Sequence, residues 1–386
     1  MDFSLSEDEE RVRSTVRAFA RKELVQEAAR WDREGVTPDD AVVEKMVELG
    51  LVGMCLPEQY GGGGQSLFMG ILAIEQLAAV SPLAAAPVFE SNVGPVRVIE
   101  LFGNEEQKKR WLPEVAKGRL QISVGMTEPA AGSALTDLQT RAEITSAGIK
   151  LNGRKCFVTG GGHSGAYLVY CRFGDVRGAP GIGAVVVEKG TPGFSFGKQE
   201  RFMGMRGFPS CDLVFEDCVV PMENLVVPAG GFGALMQCFD IERIGNSTMA
   251  LGLATGALEF ALDYAKERHT FGKPICDRQA IQLNAADMAI KVESARLLVY
   301  RAAVTAGRGI PVIQEASMAK VAANEAAKAV TDMAVEMLGG YGYSAEFPVE
   351  RMLRDSRGWA IAGGTLQMQK IIIAATLFQR RFNQYK

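Results

Sequence analysis

The chain is poor in histidine. Only His163 and His269 occur among its 386 residues. Neither has a cysteine, histidine or glutamate partner at the spacing of a metal site, so zinc chemistry and a Ser-His-Asp triad are not expected. We expect both histidines at the surface. Catalysis would then depend on carboxylates, on tyrosine or on an organic cofactor.

Other features are missing as well. Seven cysteines, an odd number without any Cys-x-x-Cys pair, disfavour a disulfide framework and favour reduced thiols in a cytoplasmic compartment. The net charge of −3 comes with no basic block suited to nucleic acid or to an anionic membrane. No apolar run approaches the roughly 20 residues that span a bilayer. The N-terminus, MDFSLSEDEERVR, is acidic, unlike a signal peptide. We therefore expect neither nucleic acid nor membrane as a partner.

The sequence does contain two changes of pattern, near residues 120 and 236. Residues 1–120 show helical spacing of apolar side chains, residues 121–236 form short alternating runs rich in Gly, Val and Thr, and residues 237–386 return to helical spacing. These three segments predict an α+β fold with an N-terminal α-helical domain, a middle antiparallel β-sheet domain and a C-terminal four-helix bundle.

Glycine and proline set the expected ends of the elements. In the first domain the pattern predicts helices over 41–49, 68–79, 91–102 and 105–116. In the bundle it predicts helices over about 240–268, 277–307, 311–338 and 365–382, with a shorter one near 347–354. Asn152-Gly153 predicts a type I′ hairpin turn between two strands.

The segment Cys238–Arg243, with the sequence CFDIER, opens the apolar run IGNSTMALGLATGALEFAL. A helix that is apolar on nearly every face belongs inside a large core. A carboxylate on the first turn of this helix, such as Glu242, would be partly desolvated, with a raised pKa that makes it a candidate for proton transfer at neutral pH. These residues alone favour a plainer interpretation, in which Glu242 sits near a helix N-terminus because the dipole favours it there and pairs with Arg243 or another base.

Further segments have residue types that suit a flat ring or an anion. Thr127-Glu-Pro-Ala-Ala-Gly-Ser133 offers hydroxyls and a glycine, and Phe157-Val-Thr159 places an aromatic face beside a polar edge. Arg268-His-Thr-Phe-Gly-Lys-Pro274 closes the long helix, and Gly339–Gly342 and Gly363–Thr365 lead into bundle helices. Each segment alone has a structural reading: an ordinary loop, a strand end in the core, or a cation at a helix C-terminus.

Taken together, the order and spacing of these segments resemble the acyl-CoA dehydrogenase family, FAD enzymes with the same helical, β and bundle arrangement. The resemblance covers essentially the whole chain. It implies FAD contacts for Met126, Thr127, Gly132, Ser133, Phe157, Thr159, Arg268, Phe271, Gln279, Glu336, Gly340, Thr365 and Gln367. Arg268, Phe271 and Gln279 match side chains that reach the FAD of a neighbouring subunit, which implies a homo-oligomer, usually a tetramer. Glu336 stands where the family often has glutamine.

The resemblance also implies which residue is the base. Many members carry the catalytic glutamate immediately before Gly-Thr, and here that position is Gly363. A minority, typified by isovaleryl-CoA dehydrogenase, place it within the segment that matches Phe239–Arg243, where Glu242 corresponds to it. Glu242 would then remove the α proton of an acyl-CoA while FAD accepts the β hydride. Asp240 and Arg243 would hold the CoA, and an electron-transferring flavoprotein would accept the electrons.

The acyl pocket is expected to include Val88, Phe89 and Gly363. Residues 83–89 contain no Arg or Lys, which disfavours a substrate with a carboxylate or sulfinate, and Gly363 leaves room for a branched, cyclic or otherwise bulky acyl group. Three alternatives stay open. One is non-redox elimination, as in the related sulfinopropionyl-CoA desulfinase, whose substrate-binding arginine would fall at Ala86. The others are enoyl-CoA reduction and a flavin-binding protein without turnover that engages a carrier-protein thioester.

Overall fold

The computed structural model describes residues 4–307, 309–380 and 382. The predicted first and last domains extend to Met1 and Lys386, which lie outside the described residues. Arg381, in the predicted last helix, also lies outside them. The fold is α+β, with a helical N-terminal part, a middle sheet and a helical C-terminal part.

The N-terminal part begins with a capped helix, α1 (Glu7–Phe19). The Ser6 hydroxyl accepts a hydrogen bond from the Glu9 N–H, and the Glu9 carboxylate accepts one from the Ser6 N–H at 2.8 Å, which forms a capping box. A π-helical turn, Ala20–Leu24, joins α1 to α2 (Val25–Glu34). The remaining helices are α3 (Asp40–Glu48), α4 (Leu67–Ala78), α5 (Pro82–Asn92), α6 (Val96–Phe102) and α7 (Glu105–Ala116).

The helix predicted over 91–102 is interrupted in the structure. α5 ends at Asn92 and α6 begins at Val96. Gly94 and Pro95 separate them, and a Cβ on Gly94 would lie 2.7 Å from the Glu90 Oε2. Val93 leaves the helical conformation with φ −129°, and Pro95 disfavours the α conformation of the residue that precedes it. The apolar segment 83–89, for which the sequence pattern predicts no helix, belongs to α5.

The middle part is one eight-stranded sheet with the strand order β6-β7-β3-β2-β4-β5-β8, and β1 pairs with β4. Most pairs are antiparallel, but β1–β4 and β2–β4 are parallel. The strands are β1 (Ile122–Gly125), β2 (Arg141–Thr145), β3 (Gly148–Thr159), β4 (Ala166–Phe173), β5 (Ile182–Glu188), β6 (Phe194–Gln199), β7 (Ser210–Val220) and β8 (Leu225–Val227).

The prediction of a hairpin turn at Asn152-Gly153 was wrong. β3 runs straight through both residues, and the turn between β2 and β3 comes earlier, between Thr145 and Gly148. Gly153 instead sits at a bulge against β7 with φ +147°, and a Cβ there would lie 2.7 Å from the Thr140 Cα. The glycine is required because another stretch of backbone passes close to it.

The C-terminal part contains α8 (Phe232–Glu267), α9 (Gln279–Ala306), α10 (Ile313–Leu338), α11 (Pro348–Trp359) and α12 (Leu366–Leu377). A small hairpin of β9 (His269–Thr270) and β10 (Lys273–Pro274) follows α8. α8 begins at Phe232, so Glu242 lies about three turns inside the helix and not on its first turn as predicted. The helix-dipole explanation for Glu242 therefore does not apply, because that effect is confined to the first turn.

Within the described residues, no helix combines the length and the apolar character needed to cross a membrane. The same residues contain no group of three or more His, Cys, Asp or Glu side chains that could hold a metal ion. All seven cysteines are free thiols.

Candidate active site

The loop 126–133 is anchored by a buried ion pair. The Glu128 carboxylate accepts hydrogen bonds from the Lys155 Nζ at 2.6 Å and from the Gln139 and Thr140 N–H groups at 2.5 and 2.9 Å. Lys155 is fully buried and also donates to the Met126 carbonyl at 3.2 Å. Burial raises the pKa of Glu128, but these partners outweigh it and hold that pKa below its ordinary value. The loop is thereby fixed against β3.

This anchoring brings the loop next to an exposed aromatic ring. The Cys156 N–H donates to the Thr127 carbonyl at 2.8 Å, and the next residue, Phe157, has φ +54° and is 59% exposed. Its ring stacks on Phe202, with 6.4 Å between centroids. A positive φ at an aromatic residue is strained, so the surrounding structure must enforce it. Phe157 is therefore not a strand end packed into the core.

The loop 126–133 and the end of β3 carry polar groups without partners. Among the described residues, the hydroxyls of Thr127, Ser133 and Thr159 make no hydrogen bond, and Gly132 has open space where a Cβ would lie. Met126 is buried beside them. An exposed aromatic face with free hydroxyls and an open glycine suits a planar heterocycle with polar edges.

On α8, Asp240 and Arg243 form a buried ion pair one turn apart. The Arg243 guanidinium also lies over the Phe239 ring, 5.1 Å from its centroid. The Arg243 Nε is buried and has no hydrogen-bond partner among the described residues. This arginine therefore keeps one donor available for a ligand.

Glu242 lies between these two residues in the sequence and is only partly accessible. Its carboxylate has no hydrogen bond or ion pair with any described residue. Burial raises the pKa of Glu242 to about 7, although the positive charges of Lys320 and Arg243 act in the opposite direction. A carboxylate with a pKa near neutrality and no partner is suited to taking up a proton.

A second carboxylate, Glu90 on α5, lies near Glu242. Burial raises the pKa of Glu90 well above its ordinary value, and the charge of Glu242 raises it further. No cation pairs with Glu90 among the described residues to offset these two effects. Glu90 and Ala86 line a cavity of about 300 Å³ that extends to Thr159.

The expected pocket residues Val88 and Phe89 lie in the packing between α5 and α8. Val88 is fully buried, and a Cβ on Gly245 would come within 2.7 Å of the Phe89 ring. Gly245 therefore allows α5 to approach α8 closely. That Val88 and Phe89 line the acyl pocket stays a prediction.

Gly363 lies against two polar side chains of the bundle. Gly363 and Gly364 have φ values of +69° and +89°. The fully buried Lys320 donates from its Nζ to the Ala362 carbonyl, and the Asn246 Nδ2 donates to the same oxygen at 3.3 Å. A Cβ on Gly363 would lie 2.8 Å from the Lys320 Nζ.

The sequence reasoning did not identify Lys320 or Asn246 as polar contacts of the Gly363 loop. Two signals were available. Asn246 follows Glu242 by four residues, which places both on one face of α8. Lys320 stands among alanines at helical spacing on α10, a position where a lysine is unusual in a buried face.

A second group of predicted residues lies on the surface. Arg268, Phe271, Gln279, Glu336 and Gly340 are exposed, and Phe271 is 97% exposed with φ +50°. The Arg268 guanidinium lies 5.8 Å from the Tyr341 ring centroid. This contact connects the start of the β9–β10 hairpin to the Gly340 loop. Among the described residues, no hydrogen bond or ring contact connects this group to Phe157 or Glu242.

Thr365 and Gln367 begin α12. The Thr365 hydroxyl caps the helix by accepting a hydrogen bond from the Met368 N–H at 3.4 Å, and Gln367 is exposed. The Thr365 side chain therefore has a structural role already. Its backbone and the helix N-terminus remain available to an anion.

Three family models match the chain in order. They are the acyl-CoA dehydrogenase N-terminal domain at residues 6–119, the middle domain at 123–218 and the C-terminal domain at 229–378.

Two relatives are similar over nearly the whole length. The acryloyl-CoA reductase (NADH) of Anaerotignum propionicum is 39% identical, over 98% of this chain and 97% of its own. The 3-sulfinopropanoyl-CoA desulfinase of Paraburkholderia xenovorans is 38% identical, over 99% of each.

Two solved structures have the same fold. The butyryl-CoA dehydrogenase of Megasphaera elsdenii aligns with a TM-score of 0.94 at 36% identity, covering 98% of this chain and 100% of that one. A chain in the structure of the electron transferring flavoprotein of Acidaminococcus fermentans aligns with a TM-score of 0.95 at 39% identity, with the same coverage.

Proposed function

The chain belongs to the acyl-CoA dehydrogenase family, and we propose that Glu242 is the base that removes the α proton of its acyl-CoA substrate. The family identifies the protein as an FAD-dependent oxidoreductase that dehydrogenates acyl-CoA thioesters. The proposal concerns which residues carry out this reaction and which acyl group they accept.

The residues present fit FAD. Phe157 offers an exposed aromatic face, and the unpaired hydroxyls of Thr127 and Thr159 flank it, so these residues and Met126 would hold the flavin ring. Ser133 and the open space at Gly132 lie at the edge of the same loop. When bound, FAD accepts the hydride that leaves the β carbon of the substrate.

The rest of the FAD set lies on the surface of this chain. Arg268, Phe271 and Gln279 would meet the FAD of a second copy, and Gly340, Thr365 and Gln367 would lie near the adenosine diphosphate portion. The exposed Glu336 stands where the family often has glutamine. Large apolar side chains that are mostly exposed, among them Phe271 at 97% and Ile290 at 64%, support assembly into a homo-oligomer, which we propose to be a tetramer.

One observation carries the assignment of the base. Glu242 is a carboxylate without a partner in a water-poor site, and burial raises its pKa to about 7. The α proton of a thioester is weakly acidic, so its removal needs a base that is ionised near neutral pH and poorly solvated. Position 363, where many members have the base, holds no side chain.

Asp240 and Arg243 would bind the CoA portion. Their ion pair is buried, and the Arg243 Nε still has an unused donor. An arginine held by an aspartate on one side and by the Phe239 ring on the other is fixed in one orientation, which favours binding of a polar ligand group.

We propose that the acyl group is branched, cyclic or otherwise bulky. α5 offers apolar side chains, the carboxyl group of Glu90 and no cation to the cavity, although Arg119 lines it from another segment. Gly363, which is not among the residues that line this cavity, has no side chain. A side chain at position 363 would point toward Lys320 and Asn246. The space that we propose for a bulky acyl group therefore lies on the side of Gly363 that faces away from the bundle.

Elimination is a less favoured alternative, although the desulfinase is 38% identical. The cavity-lining Ala86 offers no positive charge to a sulfinate. Reduction of an enoyl-CoA uses the same residues in reverse, and the acryloyl-CoA reductase is 39% identical. If no free CoA ester bound to the protein, the result would favour a carrier-protein thioester as the ligand.

For the electron acceptor we propose an electron-transferring flavoprotein, supported by the aligned chain in such a structure. A cytoplasmic location is proposed from the seven free thiols.

The test is anaerobic reduction of the bound flavin by a panel of straight, branched and cyclic acyl-CoAs. Glu242→Gln is expected to slow reduction by a factor of about 100 or more, since a positioned base contributes on that scale. Glu143→Gln, an exposed carboxylate on β2, is the control and is expected to behave as wild type. Equal reduction rates for Glu242→Gln and wild type would overturn the assignment.

A further inference from the structure

Lys320 is a buried amine with an unusual partner. Its side chain is fully buried in α10, and its only acceptor among the described residues is the Ala362 carbonyl. No carboxylate lies within ion-pair distance of it in that part of the chain. An ammonium with a single carbonyl acceptor is expensive to bury, and an apolar side chain of similar size would cost less. The position of this lysine therefore calls for an explanation beyond packing.

The carbonyl that Lys320 contacts is held from two helices at once. Asn246 on α8 donates to the same Ala362 oxygen at 3.3 Å. Asn324 on α10 donates to the Asn246 Oδ1 at 3.2 Å and to the Lys320 carbonyl at 2.9 Å. These bonds fix the orientation of one peptide unit, Ala362–Gly363, relative to the bundle.

The opposite side of that peptide is free. A trans peptide is planar, so the N–H of Gly363 points away from the carbonyl of Ala362 and hence away from Lys320. No described residue accepts a hydrogen bond from the Gly363 N–H. Asn246 lies one turn after Glu242 on the same face of α8 and contacts this peptide through the Ala362 carbonyl, so the unpaired donor lies near the proposed base.

We propose that Lys320 is a positioning residue for the reaction. Together with Asn246 it orients the Ala362–Gly363 peptide so that its free N–H faces the thioester oxygen, and its charge polarises that N–H. The proposal rests on the proposed function, because it requires an acyl thioester whose oxygen gains negative charge when Glu242 removes the α proton.

The physical reason lies in how hydrogen bonds act through a peptide. A positive charge at the carbonyl oxygen draws electron density from the amide and makes its N–H a stronger donor. A fixed donor aimed at the place where charge develops stabilises the transition state more than the ground state. Lys320 would therefore favour the enolate-like form of the thioester over the neutral form.

The charged groups around Lys320 come from α8. Arg243 disfavours the protonated amine and Glu242 favours it, while burial has the largest effect and lowers the pKa of Lys320 to about 7. From α5, Glu90 faces Glu242, and burial together with the charge of Glu242 raises the pKa of Glu90 well above its ordinary value. Loss of the Lys320 charge would accordingly raise the pKa of Glu242 as well as weaken the donor.

The experiment uses the FAD-loaded enzyme and an acyl-CoA analogue with sulfur in place of the β carbon. Such a thioester can lose its α proton but has no β hydrogen to transfer. Its ionisation is followed by pH titration of the long-wavelength absorbance of the bound enolate. Lys320→Met is expected to raise the apparent pKa of the bound analogue by about one unit, a tenfold loss, while affinity for the neutral form at low pH changes less than about twofold. Direct loss of one anion-contacting donor costs about 100-fold or more, so an indirect effect should be smaller.

Further variants separate position from charge and guard against misfolding. Lys320→Gln keeps a donor without the charge, so a smaller shift in the same direction is expected. Asn246→Ala removes the second donor to the Ala362 carbonyl and should also shift the pKa upward. Lys370, which is 57% exposed on α12, provides the control: Lys370→Met should leave the apparent pKa of the bound analogue unchanged.

The outcomes distinguish the two proposals. If wild type ionises the analogue and Glu242→Gln does not, the base assignment stands, and unchanged pKa values in Lys320→Met, Lys320→Gln and Asn246→Ala would then overturn the role of Lys320. If Glu242→Gln ionises the analogue as readily as wild type, the base assignment fails whatever the Lys320 variants do. Should Lys320→Met not fold, the other two variants decide the question.

Discussion

The amino group of Lys320 lies where a side chain on Gly363 would begin: a Cβ at that position would be 2.8 Å from the Nζ. A side chain at position 363 would therefore require the Lys320 amino group to move from its place beside the Ala362 carbonyl. The site depends instead on Glu242, three turns inside α8, as its candidate base.

Gly363→Ala is expected to destabilise the protein. The residue has φ +69°, which disfavours any side chain, and the new methyl group would collide with Lys320. We expect a loss of at least about 1 kcal/mol in the free energy of unfolding, measured by denaturant titration. Gly174→Ala, also at positive φ but with open space around it, should lose less. Equal losses would show that Lys320 does not crowd this position.

Flavin reduction should rise with pH up to neutrality and fall above it, because burial lowers the pKa of Lys320 to about 7 and the proposed donor then loses the charge that polarises it. Burial raises the pKa of Glu242 to about 7, and only the ionised form accepts a proton. Below this pKa the rate should fall about tenfold per pH unit, as expected for a single essential base. Stopped-flow reduction between pH 5.5 and 9 measures the profile. A rate that is flat across this range would contradict the assignment.

The same raised pKa predicts an effect on stability. A carboxyl group whose pKa is higher in the folded than in the unfolded state favours folding at low pH and loses that contribution as the pH rises from about 4.5 to about 7. Glu242→Gln removes this dependence. Relative to wild type, the variant should therefore gain roughly 1–3 kcal/mol between pH 5 and pH 8, measured by urea unfolding at both values. No relative gain would mean that Glu242 is well solvated.

Loss of the Lys155 charge should loosen the flavin-side loop. Lys155→Met leaves the buried Glu128 without its cation, which typically costs about 3 kcal/mol. Urea unfolding of the apoprotein measures this cost, and FAD affinity should fall in parallel. Arg141→Met breaks a surface pair with Asp175 and should change stability by less than about 1 kcal/mol. If the two variants were equally stable, Glu128 would not depend on Lys155.

Phe271 offers a test of assembly. It is 97% exposed on the β9–β10 hairpin, so Phe271→Asp should leave the folded subunit intact while weakening association between subunits. Sedimentation at low concentration measures the mass. Val176→Asp, also apolar and 52% exposed, is the control that should keep the wild-type mass. Unchanged assembly in Phe271→Asp would exclude this surface from the interface.

The sequence was sufficient for the order of helical and β segments and for a buried carboxylate at 242, because the periodicity of apolar residues and a charge within an apolar run are local signals. It was insufficient at Asn152-Gly153. There the glycine is required because the backbone of Thr140 lies close to it, across the β2–β3 pair, and this contact exists only once the strands have paired. Propensity alone favoured a turn.

The contacts on which the proposed role of Lys320 depends could not be predicted from the sequence for a similar reason. Its importance comes from the Ala362 carbonyl, 42 residues further along the chain, and from Asn246 on another helix. The start of α8 was misplaced because residues 232–239 mix glycine with apolar residues and give no clear helical signal. The helix forms there because its residues pack against the second core cluster, in which Leu235, Cys238 and Phe239 are buried.

The central claim is that Glu242 removes the α proton, and the most direct test is deuterium exchange. The analogue lacking a β hydrogen is incubated with the FAD-loaded enzyme in D₂O, and incorporation at the α carbon is followed by mass spectrometry. We predict rapid incorporation with wild type, most of that rate with Glu90→Gln, and a rate about 100-fold lower or less with Glu242→Gln. Exchange by Glu242→Gln at the wild-type rate would contradict the account.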